Sequence, residues 1–319
     1  MSKPAPGLDI GRSLVLPTLK AWGTEDQLAR FIPGIENQAE QWCQLFSEPG
    51  NGSDLAGLST RAVLHDDTWH ITGQKVWSTL AHMADWGILL ARTDPDLPKH
   101  AGITYFIIDM HQPGVTVRPL RQMTGRSDEF NEVFFDEAIV HDSLRVGPRN
   151  GGWKVSLTTL TSERGMLSEV STGEKRRTRV EQLILDAHKN GRWVDPVFRN
   201  ALVELLIHER VINLTNRRVS ADMKVGRSSP AAATGKLAQS LLSRRMENLA
   251  IHLHGACATA WTTGTDIGSL TVDRFLHAQC QTIIGGTSEI QRTIIGERVL
   301  GLPREPAADR DIPWSQLRR

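Results

Sequence analysis

The sequence predicts an α+β protein: an antiparallel β-sandwich or barrel as the middle domain, then an up-and-down helical bundle. Three observations carry this. Between Gln41 and Arg145 the chain breaks into short runs rich in β-branched and aromatic residues, separated by turn residues. After Gly151-Gly152 the texture is helical for most of the remaining length. No GxGxxG string occurs, and the β-rich runs have little helix between them, which argues against a βαβ dinucleotide fold.

Taken in order, residues 9–40 read as helical, broken by Pro17 and Pro33, with a short amphipathic helix from Asp26 to Phe31. The β-rich runs are Ser59–Leu64, Thr68–Thr72, Trp86–Ala91, Thr104–Asp109, Val115–Pro119 and Glu132–Val140. His65-Asp66-Asp67 between the first two reads as a hairpin turn. Trp153 to Asn190 holds one long helix or two. Asp195-Pro196 is an N-cap followed by proline at the first helical position, and that helix can run to Val225. Gly226–Pro230 is a turn, Ala231–Thr259 a third helix, Ser269–Cys280 a fourth and Thr287–Leu300 a fifth. The division expected is a remnant helical segment (1–40), a β domain (41–147), a helical bundle (148–305) and a loose Pro- and Arg-rich tail (306–319).

Composition narrows the function classes. A chain of 319 residues with 39% hydrophobic residues can bury a sizeable core. The 37 basic and 36 acidic residues nearly cancel, so no surface for nucleic acid or membrane is held by net charge. Cys43, Cys257 and Cys280 are scattered, without a CxxC pair, which fits a reducing compartment and a cytoplasmic location. No apolar segment is long enough to span a bilayer, and the first residues lack the apolar core of a secretory signal. His252 and His254 lack a supporting carboxylate or cysteine set, so no metal is expected.

Four strings carry chemistry. FSEPGNGSD (46–54) holds Phe46, Ser47, Gly50, Gly52 and Ser53; by itself Pro-Gly-x-Gly is ordinary turn chemistry. ITGQKVWST (71–79) holds Trp77 and Thr79, and a strand tryptophan is ordinarily core. Trp42, Trp69 and Trp86 are read as structural. TSER (161–164) puts Glu163 and Arg164 in a helix, where a glutamate is ordinarily a solvated face residue. IGGTSEIQR (284–292) holds Gly285, Thr287 and Glu289.

Together, and over roughly residues 10–305, these strings resemble the acyl-CoA dehydrogenases. The resemblance implies a β domain followed by a four-helix domain, FAD as cofactor and an acyl-CoA substrate. It also implies an electron-transfer flavoprotein as electron acceptor, and a dimeric or tetrameric assembly. In it Phe46, Ser47, Trp77 and Thr79 line the flavin, and Ser53 meets the pantetheine of CoA. Thr287 and Glu289 reach the adenosine side. Many members carry a catalytic glutamate directly before Gly-Thr; here that position is Gly285. Long-chain and isovaleryl-type members instead carry the base as Glu-Arg on the first long helix, which maps onto Glu163 and Arg164. Gly285 then keeps the backbone N–H that polarises the thioester oxygen. Arg164 orients the base or contacts the ligand, and Glu169 and Glu174 are expected to be dispensable. This base position goes with long, branched or bulky acyl groups.

The sequence departs from the family pattern twice. Where an Arg-x-x-Phe-Gly string is usual, the chain reads Asn190-Gly191-Arg192-Trp193-Val194-Asp195-Pro196. Where Gln-x-x-Gly-Gly is usual it reads His252-Leu253-His254-Gly255-Ala256, keeping only Gly255. Both strings serve the FAD of a neighbouring subunit in the family. Two explanations stand: Arg192 replaces the missing arginine, or the chain partners an unlike subunit, as in heteromeric acyl-CoA dehydrogenases acting on steroid side chains. A member of usual length carries several more helices before residue 10, so either a form truncated at the front or a start-site variant is expected. A non-catalytic or half-site subunit, and a flavin oxidase or monooxygenase on the same fold, are the competing readings.

Overall fold

The computed structural model describes residues 9–168, 177–227, 229–260, 267–307 and 309–317. The chain forms two compact units: Met1–Glu163 with Glu305–Arg319, and Arg164–Arg304.

The first unit opens with helices α1 (Leu16–Trp22) and α2 (Glu25–Glu36). Thr24 and Gln27 close α2 as a reciprocal capping box, each side chain accepting from the other's backbone N–H. Neither proline breaks its helix as expected. Pro17 sits in the first turn of α1, where its missing N–H costs nothing, and Pro33 lies within the last turn of α2.

Eight strands follow: β1 (Trp42–Leu45), β2 (Arg61–His65), β3 (Thr68–Thr79), β4 (Trp86–Arg92), β5 (Ile103–Asp109), β6 (Val115–Pro119), β7 (Phe130–His141) and β8 (Arg145–Val146). They form one sheet in the order β6-β7-β3-β2-β4-β5-β8, with β1 added on β4. The pairing is antiparallel with two exceptions: β1 runs parallel to β4 (Trp42↔Trp86 to Leu45↔Leu89), and β2 meets β4 in a parallel bridge at Arg61↔Arg92. The expected hairpin is present, with His65 opposite Thr68 and Asp66 in the left-handed conformation at φ 52°.

Strands β4 and β5 are buried on both faces. Ile88, Leu90, Tyr105 and Ile107 enter one core with Leu14, Phe31 and Ile35; Leu89, Ala91, Phe106 and Ile108 enter a second with Trp69, Ile71 and Val133. This explains why both strands read as unbroken apolar runs. The tail after Pro303 is not loose. Within it Pro313 bridges Pro98, Trp314 N–H donates to the Leu97 carbonyl at 3.0 Å, and Ser315 N–H to that of Pro95 at 2.8 Å.

Helix α3 (Gly152–Ser168) runs from the first unit into the second. The helices that follow are α4 (Arg179–Lys189), α5 (Pro196–Lys224), α6 (Gly235–His254), α7 (Ala256–Thr259), α8 (Ile267–Cys280) and α9 (Ser288–Ile294). Asp195 caps α5 as its sequence predicts, accepting from Val197 and Phe198 N–H. The expected third helix is interrupted at Gly255, which takes φ 54° and separates α6 from α7. Leu183, Phe198, Leu202, Leu205, Leu242 and Met246 bind α4, α5 and α6 into a core. No helix among the described residues is long and apolar enough to cross a membrane.

Candidate functional site

In the first unit the structure brings the first two strings together and places Glu163 of the third beside them. The string after β1 lies against the end of β3. Val76 N–H donates to the Ser47 carbonyl at 2.9 Å, and Lys75 Nζ donates to the Phe46 carbonyl at 3.0 Å. Phe46 is buried, its ring edge-on to Tyr105 at 5.9 Å. Two residues earlier, Gln44 Nε2 donates to Glu163 Oε2 at 3.3 Å, so β1 holds the α3 glutamate beside the first string. Glu163 is half-buried, and Arg164 follows it on the same helix. Glu169 and Glu174 lie outside the described residues.

Beneath this contact sits a buried ion pair that the sequence reading missed. Glu48 and Lys75 side chains are 3% and 0% exposed, with Oε1 and Nζ 2.9 Å apart. The Glu48 carboxylate also accepts from Ser59 N–H at 2.7 Å, Ser59 Oγ at 2.8 Å and Thr60 N–H at 2.8 Å. Burial works against the charge on Glu48, but the Lys75 ammonium and these donors prevail and hold its carboxyl at about 2. Burial likewise draws Lys75 below its ordinary range, with Glu48 opposing. The signal was present: an acid, Glu48, stands inside the first string and a base, Lys75, inside the second, and an acid and a base that must both be buried have reason to pair.

At the end of β3 the pairing with β7 slips between Lys75 and Ser78. The bulge turns Trp77 into the left-handed region at φ 62°, a conformation that costs a bulky residue energy. Its indole is 59% exposed, edge-on to Phe130 at 5.9 Å, so the string's tryptophan is neither core nor fully packed. Ser78 Oγ is buried with no hydrogen-bond partner, and Thr79 is half-buried. Gly50 and Gly52 take no left-handed φ, and an added Cβ at either would meet nothing. The expected turn is present, closed by reciprocal Glu48–Asn51 backbone hydrogen bonds at 3.0 Å, but the chain's own conformation does not require glycine in it. Ser53 is exposed.

The second unit holds the remaining candidates. Gly285 and Gly286 take φ 61° and 91° in the turn before α9. Gln291, 1% exposed, donates to the Gly285 carbonyl at 3.2 Å. The Gly285 N–H has no backbone acceptor among the described residues. Thr287 Oγ1 caps α9, accepting from Ile290 N–H at 3.2 Å. Glu289 is exposed and 3.6 Å from Arg292. Arg192 lies over the Phe198 ring at 5.1 Å and 4.0 Å from Asp195. Gly255 is exposed, with open space where a side chain would stand. His254 is drawn below its ordinary range by burial. Among the described residues no cluster of His, Cys, Asp and Glu could hold a metal ion.

Comparison with known proteins matches two family models along the chain. Residues 43–138 match the acyl-CoA dehydrogenase middle domain, and residues 150–300 the acyl-CoA dehydrogenase C-terminal domain. Acyl-CoA dehydrogenase FadE34 of Mycobacterium tuberculosis is 42% identical over 292 residues, covering 90% of this chain and 39% of FadE34. Acyl-CoA dehydrogenase IpdE1 of the same organism is 39% identical over 298 residues, covering 92% of this chain and 75% of IpdE1. Among solved structures, the Tcur3481-Tcur3483 steroid ACAD superposes with a TM-score of 0.83 at 27% identity, covering 92% of this chain and 76% of that one. The ChsE4-ChsE5 complex from Mycobacterium tuberculosis gives 0.79 at 28% identity, covering 94% and 79%. With both domains matched, and with IpdE1 39% identical across 75% of its length, this chain belongs to the acyl-CoA dehydrogenase family of oxidoreductases.

Proposed function

We propose that the chain catalyses FAD-dependent α,β-dehydrogenation of an acyl-CoA thioester, with Glu163 as the base. The observation that carries this is the placement of Glu163: half-buried on α3 and hydrogen-bonded from Gln44, at the strand that leads into the first string. Glu163 takes the α-proton, and the product is the trans-2-enoyl-CoA. The Gly285 N–H donates to the thioester oxygen, and Arg164 orients the base or the ligand. Bound FAD supplies the acceptor for the hydride leaving the β-carbon. A positioned base contributes about 10²–10⁴ in rate, and a preorganised N–H donor about 10²–10³.

The residues present fit a flavin. Trp77 is kept in a strained conformation with its indole exposed, and Ser78 Oγ is buried without a partner. Strain and an unmet polar group at one bulge are features a bound ring system with polar edges would use. Phe46, Ser47, Trp77 and Thr79 are assigned to its ring. Thr287, Glu289, Arg192 and Gly255 are assigned to its remainder, in this subunit or a neighbour. Ser53 is assigned to the pantetheine.

A long, branched or bulky acyl group is the proposed substrate, and a steroid side chain is the form that relatives suggest, since one similar structure is described as a steroid ACAD. An electron-transfer flavoprotein is the proposed electron acceptor, in the cytoplasm. A second reading has an observation behind it: two similar structures are two-component assemblies, and Arg192 and Gly255 stand in altered strings. In that reading the chain is one half of a heteromeric dehydrogenase.

The test is a visible spectrum followed by titration with acyl-CoA. The purified protein is expected to be yellow and to bleach; Glu163→Gln should abolish bleaching while Glu169→Gln retains it. Bleaching that survives Glu163→Gln removes the base assignment. A chain that stays colourless with added FAD, and becomes yellow only with a second subunit, decides for the heteromeric reading.

A further inference from the structure

The C-terminal tail closes on the segment that follows Ser53, and it does so through side chains as well as backbone. Trp314 Nε1 donates to the Gly57 carbonyl at 3.1 Å, and its ring lies 4.8 Å from the Arg92 guanidinium. Arg92 is 3% exposed and itself donates to the carbonyls of Ala56 at 2.6 Å and Leu58 at 3.3 Å. It donates to that of Lys99 at 2.7 Å. The Lys99 ammonium lies between Asp54 Oδ2 at 3.3 Å and Asp309 Oδ2 at 3.0 Å. Ser315 adds a hydrogen bond to Asp96 at 3.1 Å. Residues 54–58 are therefore gripped by Arg92, Lys99 and the tail. The space is tight: a Cβ on Gly57 would come within 2.5 Å of Asn51 Oδ1 and 3.0 Å of Asp54 Oδ2.

We propose that residues 309–315 act as a strap that fixes the segment Asp54–Leu58 and thereby sets the affinity for coenzyme A, with Trp314 as its principal positioning residue. The proposal rests on the assignment of Ser53 to the pantetheine arm. Ser53 is exposed and immediately precedes the strapped segment, so its backbone and hydroxyl inherit whatever order Asp54 has. A loop already held in place loses less freedom on binding, and that saving appears as affinity. Trp314 holds the segment at the Gly57 carbonyl and through Arg92, so its loss alters binding through the order of the loop.

The experiment measures binding of free coenzyme A to the flavin-loaded full chain by calorimetry, with hydrogen exchange of the amides in residues 54–58 as a second readout. Free coenzyme A carries the pantetheine without the acyl group. Trp314→Ala is expected to weaken binding about tenfold, with flavin absorbance unchanged and amide exchange in the segment accelerated. Trp314→Phe keeps a smaller ring for Arg92 and removes the N–H to Gly57; about threefold is expected. If Trp314→Ala does not fold, the Phe variant decides. Binding within twofold of wild type in the Ala variant, or unchanged in the Phe variant where Ala is unfolded, overturns the strap. So does loss of flavin in step with loss of coenzyme A binding, which marks general unfolding, and so does a wild-type chain that binds no coenzyme A. Ser53→Ala separates the two readings: if it leaves binding intact while Trp314→Ala weakens it, the Ser53 assignment fails and the strap stands.

Discussion

The motif residues of the two units are held in opposite ways. In the β unit, Phe46, Ser47, Trp77 and Glu163 are positioned by partners elsewhere in the fold: a buried Lys75, a backbone pairing to Val76, a bulge against β7 and the amide of Gln44. Among them the Trp77 indole stays largely exposed. In the helical unit the motif side chains are engaged next to themselves. Thr287 caps its own helix, Glu289 pairs with Arg292 one turn on, and Arg192 with Asp195. What that unit leaves to offer is backbone, above all the N–H of Gly285. Under the proposed assignments, the difference separates a preformed cradle from a surface whose side chains would trade a local partner for a ligand.

The sharpest way to break this comparison is to remove the lock beneath the cradle. Lys75→Met leaves the Glu48 carboxylate buried and unpaired, and should cost about 3–5 kcal/mol in urea unfolding. Lys75→Met combined with Glu48→Gln should recover much of the loss, since Gln can still accept from Ser59 or Thr60. A single variant costing under about 1 kcal/mol, the range of surface pairs, would show that the pair does not organise the cradle.

The same pair sets an acid limb. The folded state holds Glu48 at about 2, below its ordinary 4.5. A depressed carboxyl contributes stability that is fully present above its unfolded value and lost as pH falls through its folded one. Stability should therefore decline between about pH 5 and pH 2 in the wild type. Glu48→Gln should flatten that decline in thermal melts taken across the window. An unchanged limb would assign acid sensitivity to other carboxylates, Asp142 first, which Arg145 and Trp69 also hold down at about 2.

Which parts of this were legible follows from the range of the forces involved. The β-rich runs, the Asp195 cap and the hairpin at Asp66 are set by neighbours in sequence, and each appeared close to where its residues placed it, except that the run read as Thr68–Thr72 continues as β3 to Thr79. Strand β1 was not among the expected β-rich runs, because four residues carry no period, and its parallel pairing with β4 has no local signal. Pro33 was read as a break, although a helix's last turn tolerates it where packing of Phe31 and Ile35 holds the helix. The Glu48–Lys75 lock spans 27 residues and the grip of Trp314 on Gly57 spans 257, so neither could be seen in a window. The tail looked loose because its Pro and Arg content is that of a linker; one tryptophan docked on a buried arginine outweighs that composition.

A smaller effect sharpens the helical side. Thr287→Ala removes the cap of α9 and should lower stability by about 0.5–2 kcal/mol. Thr287→Ser keeps an oxygen for the Ile290 N–H and should restore it. If Thr287 also meets the flavin, the Ala variant should lose flavin on dilution more than its stability loss explains. Equal proportions would reduce Thr287 to a cap.

The smallest expected change tests whether this surface has a ligand at all. Arg192 is 4.0 Å from Asp195, with both side chains well exposed, so Arg192→Ala should change the stability of the chain by no more than about 1 kcal/mol. Its stacking on Phe198 adds little beyond that, since Phe198 stays buried against α4 and α6 without it. If Arg192 replaces the arginine that the family lends across a subunit boundary, flavin content or assembly should fall while the melting temperature of the flavin-free chain stays put. Sedimentation and flavin absorbance of the same sample separate the two. A variant that assembles and holds flavin like the wild type would leave Arg192 a surface residue. Any cross-subunit support for the cofactor would then have to come from a partner's own side chains.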